Sequence, residues 1–412
     1  MLFVILKKDD LIYYLGFSYC LGIGPMTFQA LKVHPKGVSG AYQASAKELA
    51  PMIGQRLTEK FIEFRRKFDP VKELERLRKD GITVLAVDSE DYPESLKNIS
   101  DPPICIYVKG DTNLVKQHEA QVSVFSTASP RQRRGPRRLS QKQKPSLTSE
   151  TEKNLISSPS IIPTFFAIVG TRKPTSYGIQ VARKFAYELT EAGFIIVSGM
   201  AMGIDTVAHQ AALDAGGKTV AVLGCGVNII YPTSNHGLYE NIIKTGGAVL
   251  SEFPPDQTVL KGLFISRNRI ISGLSRGVLI AEGGEYSGAL ITAKCAGIQG
   301  KDVFAVPSPI NSDMSRAPNL LIKQGAKLVT SIEDIIEEFD MKITPRKKED
   351  IRKDLSEIGK LIFDILSQNP QTVDDLAISL KKIVSEVLNA ISIMEIKGVV
   401  EKNQEHKYQI RL

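Results

Sequence analysis

The sequence predicts an α/β fold built on a doubly wound parallel sheet, with smaller helical units before and after it. From residue 165 onward, continuous apolar segments alternate with helical ones, which is typical of parallel strands covered on both faces. Strands are predicted at 165–169, 194–197, 219–223, 248–251, 278–281 and 303–306. Glycine-rich turns follow these strands, and such sheets bind their ligands beyond the carboxyl ends of the strands. That edge is therefore the predicted functional edge.

Length and composition indicate a soluble globular protein of more than one domain. The chain has 412 residues, with 42% hydrophobic and 24% charged residues, which suggests two or three domains. No apolar run is long enough to span a membrane, and the short apolar start is followed by charged residues, unlike a signal peptide. The four cysteines lie far apart without metal-ligand spacing. We therefore expect a cytoplasmic protein without a metal site or cofactor.

The net charge of +8 is concentrated in one segment. Residues 121–149 contain seven cations and no acid, which leaves about +1 for the rest of the chain. Total charge is consequently weak support for nucleic-acid binding, and only a local basic patch can carry that interpretation.

The segments before the regular α/β pattern are predicted to form a helical domain (1–68) and the entry to the α/β domain. Residues 21–25, Leu-Gly-Ile-Gly-Pro, lie between two helical stretches. They suit either a helix-hairpin-helix contact to a phosphate or a simple connector. A helix at 70–79 and strands at 82–87 and 104–108 then begin an α/β domain that spans 69–340.

Two segments are predicted to lack a packed core. Residues 117–163 are rich in Ser, Gln, Pro and Arg and read as a disordered basic insertion, while 341–354 read as a charged linker. After the linker, the domain 355–412 shows helices at 358–367, 372–379 and 383–396 and strands at 399–402 and 407–410. That order is typical of a winged helix, which binds either DNA or protein.

Three turns at the functional edge carry residues suited to an oxyanion. Glycines allow close backbone approach, free N–H groups and cations attract phosphate, and Ser176 is predicted to cap the helix after the first turn. The third turn belongs to the stretch 261–276, where a helix is predicted at 267–276. The alternative is that the glycines only make tight turns. The predicted pocket comprises Gly170, Thr171, Arg172, Ser198, Gly199, Gly203, Arg267, Asn268 and Arg269.

Catalytic patterns are sparse. A dinucleotide fingerprint fails because Ile229 stands at the third glycine position, and no P-loop is present. Asp205 and His209 share one helix, but Asp205 is more simply its N-cap. Glu282 and Glu285 lie at a strand end where a general base could act. We predict no catalytic residues.

Several ordered motifs resemble the DNA-processing protein A (DprA/Smf) family. They are AIVGTRKPTSYG, SGMAMGIDTVAH, VAVLGCGVNIIYP, LSEFPP, FISRNRIISGLS, SGALITAKCAG and VFAVPSP. The resemblance covers about 69–116 and 164–340. The resemblance implies a Rossmann-like sheet, an N-terminal helix-hairpin-helix or SAM-like domain and a C-terminal winged helix. It further implies a non-enzymatic protein of natural transformation that binds and protects incoming single-stranded DNA and loads the RecA recombinase onto it. The implied partners are single-stranded DNA, RecA, a second copy bound through the Rossmann domain, and a single-stranded-DNA-binding protein.

The resemblance also implies which residues contact DNA. Lys261 and Phe264 are expected before the helix, as contacts to backbone and base, and Arg276 near its end as a charge on the helix dipole. The full implied set is Gly170, Arg172, Ser198, Gly199, Lys261, Phe264, Arg267, Asn268 and Arg269.

The chain departs from the family at three positions. Thr233 stands where a basic residue is frequent, which would remove one phosphate contact, and Ser308 and Ala317 replace glycines in turns that bear on the dimer face. An alternative function is a nucleotide phosphoribohydrolase on a similar sheet, with Glu282 to Glu285 in its active site, although the Pro-Gly-Gly-x-Gly-Thr run of such enzymes is absent.

Overall fold

The computed structural model describes residues 10–116, 164–339, 352, 355–396, 399–403 and 406–410. The predicted basic insertion (117–163) lies outside the described residues, and so does the predicted linker (341–354) apart from residue 352.

The described part of the N-terminal unit, from residue 10 onward, contains five helices, in agreement with its predicted helical character. Phe17, Phe28 and Phe61 are almost fully buried at its centre, where the Phe17 ring contacts the other two. Residues 21–25 connect the first two helices. The helices are α1 (Leu11–Tyr19), α2 (Pro25–Lys32), α3 (Gly37–Gln43), α4 (Ala46–Ile53) and α5 (Gln55–Lys67).

A nine-stranded sheet forms the centre of the molecule, in the order β1-β2-β6-β5-β4-β3-β7-β8-β9. From β6 to β9 every pair is parallel, but β1 pairs antiparallel with β2, and β2 antiparallel with β6. The sheet is therefore mixed at one edge, because residues 83–110 join it as a hairpin before the βα units begin. The strands are β1 (Thr83–Ala86), β2 (Cys105–Gly110), β3 (Thr164–Val169), β4 (Phe194–Ser198), β5 (Thr219–Val222), β6 (Ala248–Ser251), β7 (Gly277–Ile280), β8 (Asp302–Ala305) and β9 (Lys327–Leu328).

Helices cover both faces of the sheet, which confirms the doubly wound α/β prediction. The helices are α6 (Pro70–Lys79), α7 (Glu94–Lys97), α8 (Ser176–Glu191), α9 (Ile204–Asp214), α10 (His236–Lys244), α11 (Lys261–Leu274), α12 (Gly288–Ile298), α13 (Arg316–Lys323) and α14 (Glu333–Glu338). Alternation along β3 divides the core: Phe166 and Ile168 pack with α8, α9 and α14, whereas Ala167 and Val169 pack on the side of α11, α12 and the N-terminal unit.

Local sequence features explain why several predicted ends of helices and strands are correct. Helix α6 begins at Pro70 as predicted, since the Asp69 side chain accepts hydrogen bonds from the amides of Val71 and Lys72. The six predicted parallel strands agree with the structure to within one residue at each end.

The helix predicted at 267–276 is wrong in its bounds. Helix α11 begins six residues earlier, at Lys261, and ends at Leu274, so Lys261 and Phe264 lie within the helix and Arg276 lies beyond it. The first two turns present Lys261, Gly262 and Ile265 to solvent. They therefore lack the buried apolar repeat by which a helix is recognised.

Between residues 355 and 410, the described residues form three helices followed by an antiparallel hairpin, in the predicted order. Helices α15 (Glu357–Leu366), α16 (Val373–Leu380) and α17 (Val384–Ile396) enclose a separate core that includes Ile362, Leu376 and Val387. Strands β10 (Val400–Lys402) and β11 (Tyr408–Ile410) pair with each other. The winged-helix assignment stays a prediction. Within the described ranges, the molecule has no helix with the length and apolar character needed to cross a membrane.

Candidate functional site

The turns that follow β3 and β4 interlock at the carboxyl edge of the sheet. The Thr171 amide donates to the carbonyl of Glu282 at 2.9 Å, and the Ile204 amide donates to the carbonyl of Thr171 at 3.2 Å. Gly203 has a φ of 84°, and a Cβ there would lie 2.4 Å from the Thr171 oxygen. Gly170 is equally confined, since its Cβ would lie 2.5 Å from Ile204. These glycines therefore hold the two turns together.

Ser198 and Gly199 face inward. Ser198 is fully buried and its hydroxyl donates to the carbonyl of Ile168 at 2.6 Å, while the Gly199 amide donates to the Asp205 carboxylate at 3.1 Å. The prediction of Asp205 as an N-cap is wrong, because Gly203 caps α9 and Asp205 is its second residue. Burial raises the pKa of the Asp205 carboxyl group. Its role is to fix the turn after β4.

Arg267 is a buried cation that joins α11 to two strand ends. Its guanidinium donates to the carbonyl of Gly199 at 2.7 Å and to the carbonyl of Val222, and its Nε donates to Asn268 Oδ1 at 3.2 Å. Burial lowers its pKa to about 10, so it remains protonated near neutral pH. Asn268 donates in turn to the carbonyl of Gly288 at 3.3 Å. Both side chains are directed into the protein.

Arg269 is held by two carboxylates. Its guanidinium lies 2.6 Å from Glu252 and 2.7 Å from Asp101, and only 9% of its side chain is exposed. Burial lowers the pKa of Arg269, but the two carboxylates more than offset that effect and keep the pKa above its usual value. Its charge is therefore neutralised within the protein, and Arg269 contributes little positive potential at the surface.

Four accessible residues lie together at this edge. The Arg172 guanidinium carbon lies 5.6 Å from the centre of the Phe264 ring, and the Tyr231 ring centre lies 5.6 Å from that of Phe264 at 45°. Phe264 rests on Gly224, where a Cβ would come within 2.8 Å of the ring. Lys261, exposed at the start of α11, lies one turn before Phe264. We call Arg172, Tyr231, Lys261 and Phe264 the exposed cluster.

Tyr231 is the member of the exposed cluster that the sequence did not identify. It is 42% exposed, so part of its ring is available to a ligand. Tyr231 lies in the segment after β5, at the same edge of the sheet as Gly170 and Gly199. That position in the sequence could have identified it as a candidate site residue.

The start of α8 is occupied by a carboxylate of the protein itself. Glu282, 1% exposed, accepts hydrogen bonds from the Thr175 amide at 2.8 Å and the Thr175 hydroxyl at 2.5 Å. Thr175, not Ser176, is the N-cap, so the predicted cap is wrong by one residue. Glu282 thus stabilises the helix end that an external anion would otherwise contact.

The other candidate catalytic groups also have structural partners. His209 is fully buried, its Nδ1 lies 2.7 Å from the Thr219 hydroxyl, and burial lowers its pKa to about 3. Asp205 and His209 therefore have different partners. Glu285, on the surface, pairs with Arg316 at 3.0 Å. Among the residues whose positions are described, no group of three or more His, Cys, Asp or Glu could hold a metal ion.

Ser308 and Ala317, which replace glycines frequent in the family, lie in turns that are closed by hydrogen bonds. The Ser308 amide donates to the Asn319 side chain, which donates back to the Ser308 carbonyl at 3.0 Å. Ala317 is fully buried and its amide donates to the carbonyl of Gly283 at 2.8 Å. Thr233 is exposed in a 3-10 turn after Tyr231 and Pro232.

Comparison with known proteins agrees with the resemblance read from the sequence motifs. Residues 156–340 match the family described as DNA recombination-mediator protein A. The chain is 32% identical over 396 residues to Protein Smf of Synechocystis, across 93% of this chain and 89% of that protein. It is 38% identical to the DNA processing protein DprA of Bacillus subtilis, across 64% and 73% of the two chains. The X-ray structure of DNA processing protein A from Streptococcus pneumoniae aligns with a TM-score of 0.61 at 31% identity, covering 82% of this chain and all of that one.

Replacing Arg269 by Met should lower the free energy of unfolding by about 3 kcal/mol, because the substitution leaves the buried Glu252 carboxylate without its partner. The loss should shrink as the pH falls. An unpaired buried carboxyl group has a pKa above its unfolded value, so protonation favours the folded state. Urea unfolding at two pH values measures both effects.

The matched control is Arg183→Met, which removes an exposed ion pair to Asp214. It should cost no more than about 1 kcal/mol. Equal losses in the two variants would contradict the structural role of Arg269.

Proposed function

Since the chain belongs to the DNA recombination-mediator protein A family, we propose that it binds single-stranded DNA through the exposed cluster. In this proposal it protects incoming DNA during natural transformation and loads the RecA recombinase onto it. The observation that carries the proposal is that two accessible cations, Arg172 and Lys261, flank two accessible aromatic rings, Phe264 and Tyr231, at the ligand-binding edge of the sheet.

Each part of the exposed cluster suits a different part of a nucleic-acid strand. Arg172 and Lys261 would neutralise phosphates, and the rings would stack on bases. Stacking requires a base whose face is free, which a duplex does not offer, so the cluster favours a single strand. The remaining predicted site residues then have a supporting role. They would hold the cluster in place rather than contact DNA. These supporting residues include Ser198, Gly199, Arg267, Asn268 and Arg269.

A binding role without catalysis agrees with how the acidic and basic groups are used. Glu282 caps α8, Asp205 fixes a turn, and His209 is buried with Thr219 as its partner. These three groups bond within the chain, and the fourth candidate, Glu285, is exposed but pairs with Arg316 at 3.0 Å. The phosphoribohydrolase alternative is therefore less well supported. Release of free base from a nucleoside monophosphate by the purified chain would overturn this part of the proposal.

We further propose that the protein forms a homodimer through the β9 edge of the sheet. A cavity of about 860 Å³ lies there between α12, α13 and β8. Exposed apolar side chains lie nearby on each side: Ile298 ends α12, Leu320 is on α13 and Leu328 is on β9. Strand β9 has only two residues and offers few backbone groups for strand pairing, so the exposed apolar side chains would form most of the interface. A second copy would cover both the edge and the apolar surface.

Lys261→Ala and Arg172→Ala should each lower the affinity for oligo-dT by about tenfold, because each removes one phosphate contact. Each should also reduce the slope of log affinity against log salt by about 0.7. Arg276→Ala is the control, since that cation lies on the Phe339 ring at the opposite end of β7. Unchanged affinity in both cluster variants, measured by fluorescence anisotropy over a salt series, would refute the site.

Phe264→Leu and Tyr231→Leu should each weaken binding of oligo-dT by about 1–3 kcal/mol. The salt slope should remain unchanged, since no charge is lost. The preference for oligo-dT over an oligonucleotide with abasic residues should fall as well, and Phe264→Tyr should restore it. If the leucine variants keep the full preference, the rings do not contact bases.

Leu320→Glu should convert the protein to a monomer, because a charge would be buried at the centre of the apolar interface. Sedimentation velocity measures the change. Leu361→Glu, a similarly exposed site on α15, is the matched control and should leave the dimer intact. A dimer that survives Leu320→Glu would place the interface elsewhere.

A further inference from the structure

The hairpin at residues 21–25, which the DNA-binding proposal does not use, lies beside a second cavity. A cavity of about 430 Å³ opens at the junction of α4 and α5. The hairpin borders it, since a Cβ on Gly22 would lie 3.0 Å from Leu57 Cδ1 and 3.9 Å from Lys60 Nζ. The fold thus brings to the hairpin a cation that is distant in the sequence. The cavity is lined by Ile53, Gly54, Gln55, Arg56, Leu57 and Lys60.

The floor and rim of this cavity contain apolar side chains. Ile53 and Leu57 are half-buried in its wall. Outside the cavity lining, Leu21 in the hairpin is 73% exposed and Met26 in α2 is 68% exposed. Apolar groups gathered around a concave site in this way mark a binding surface more often than scattered ones do.

Two cations border the apolar wall without an acidic partner. Arg56 and Lys60 lie one turn apart on α5, both exposed, and neither forms an ion pair with any described residue. The neighbouring acid, Glu59, accepts a hydrogen bond from Gln55 at 2.5 Å. The cavity therefore combines an apolar wall with a rim of two cations and one acid, which leaves a local excess of positive charge.

We propose that this cavity binds an acidic peptide segment of a partner protein that carries an apolar anchor residue. The anchor would contact Ile53, Leu57 and the hairpin, and the peptide carboxylates would pair with Arg56 and Lys60. Nucleic acid fits less well. None of the six lining residues is aromatic, so bases have no ring to stack on, and two cations are few for a phosphate backbone. This site is separate from the exposed cluster and does not rest on the DNA-binding proposal.

The test uses the full chain and a fluorescein-labelled peptide of four aspartates followed by leucine and phenylalanine. Binding is measured by anisotropy at low and moderate salt. The peptide should bind, and Arg56→Glu or Lys60→Glu should weaken binding by about tenfold, with the loss reduced at higher salt. Replacing the two apolar peptide residues by serine should weaken binding as well. Arg66→Glu is the matched control, because Arg66 is exposed on a different face of α5.

The outcomes separate this site from the DNA site. Lys261→Ala should bind the peptide as the unmodified chain does, whatever its effect on oligo-dT. Melting curves confirm that the Arg56 and Lys60 variants remain folded. Failure of the peptide to bind, or equal binding by the Arg56, Lys60 and Arg66 variants, overturns the proposal. So does loss of oligo-dT binding, rather than peptide binding, in the Arg56 and Lys60 variants, which would assign the cavity to nucleic acid.

Discussion

The buried guanidinium of Arg267 is the interaction on which the functional edge depends. It donates to the carbonyl of Gly199 after β4 and to that of Val222 in β5, and so fixes α11 against two strands. Burying an unpaired cation is costly, and here the carbonyl oxygens and the nearby Asp205 carboxylate offset the cost. Because Phe264 lies one turn earlier on the same helix, the contact also sets its distance from Arg172 and Tyr231.

The basic stretch at 261–276 contains cations with different roles. Arg267 and Arg269 are buried and bonded within the protein, Arg276 lies on the Phe339 ring, and only Lys261 has both exposure and proximity to Phe264. Counting positive charges along the sequence overstates the potential offered to a polyanion. What reaches solvent depends on Glu252 and Asp101, which are distant in sequence and neutralise Arg269.

Signals that are local in sequence predicted most of the fold. Continuous apolar runs located the six parallel strands, and Asp69 with Pro70 located the start of α6. The site was predicted less completely, because its residues are assigned by long-range contacts. In the sequence Glu282 is a candidate general base, but in the fold it accepts a hydrogen bond from Thr175. Tyr231 is recognised as a site residue only because its ring lies beside that of Phe264. The start of α11 was missed because its first turns are exposed and carry no core periodicity.

The carboxylate of Glu282 at the start of α8 has a consequence for competition inside a cell. A helix end left open at such an edge would attract any small phosphate, and free nucleotides are abundant. Here the position is filled by a covalently tethered anion, which a soluble monophosphate must displace against a high effective concentration. In the proposed binding mode, contacts to DNA are left to the exposed cluster, which would bind several phosphates and bases of one strand. The edge would then favour a polymer over a free nucleotide.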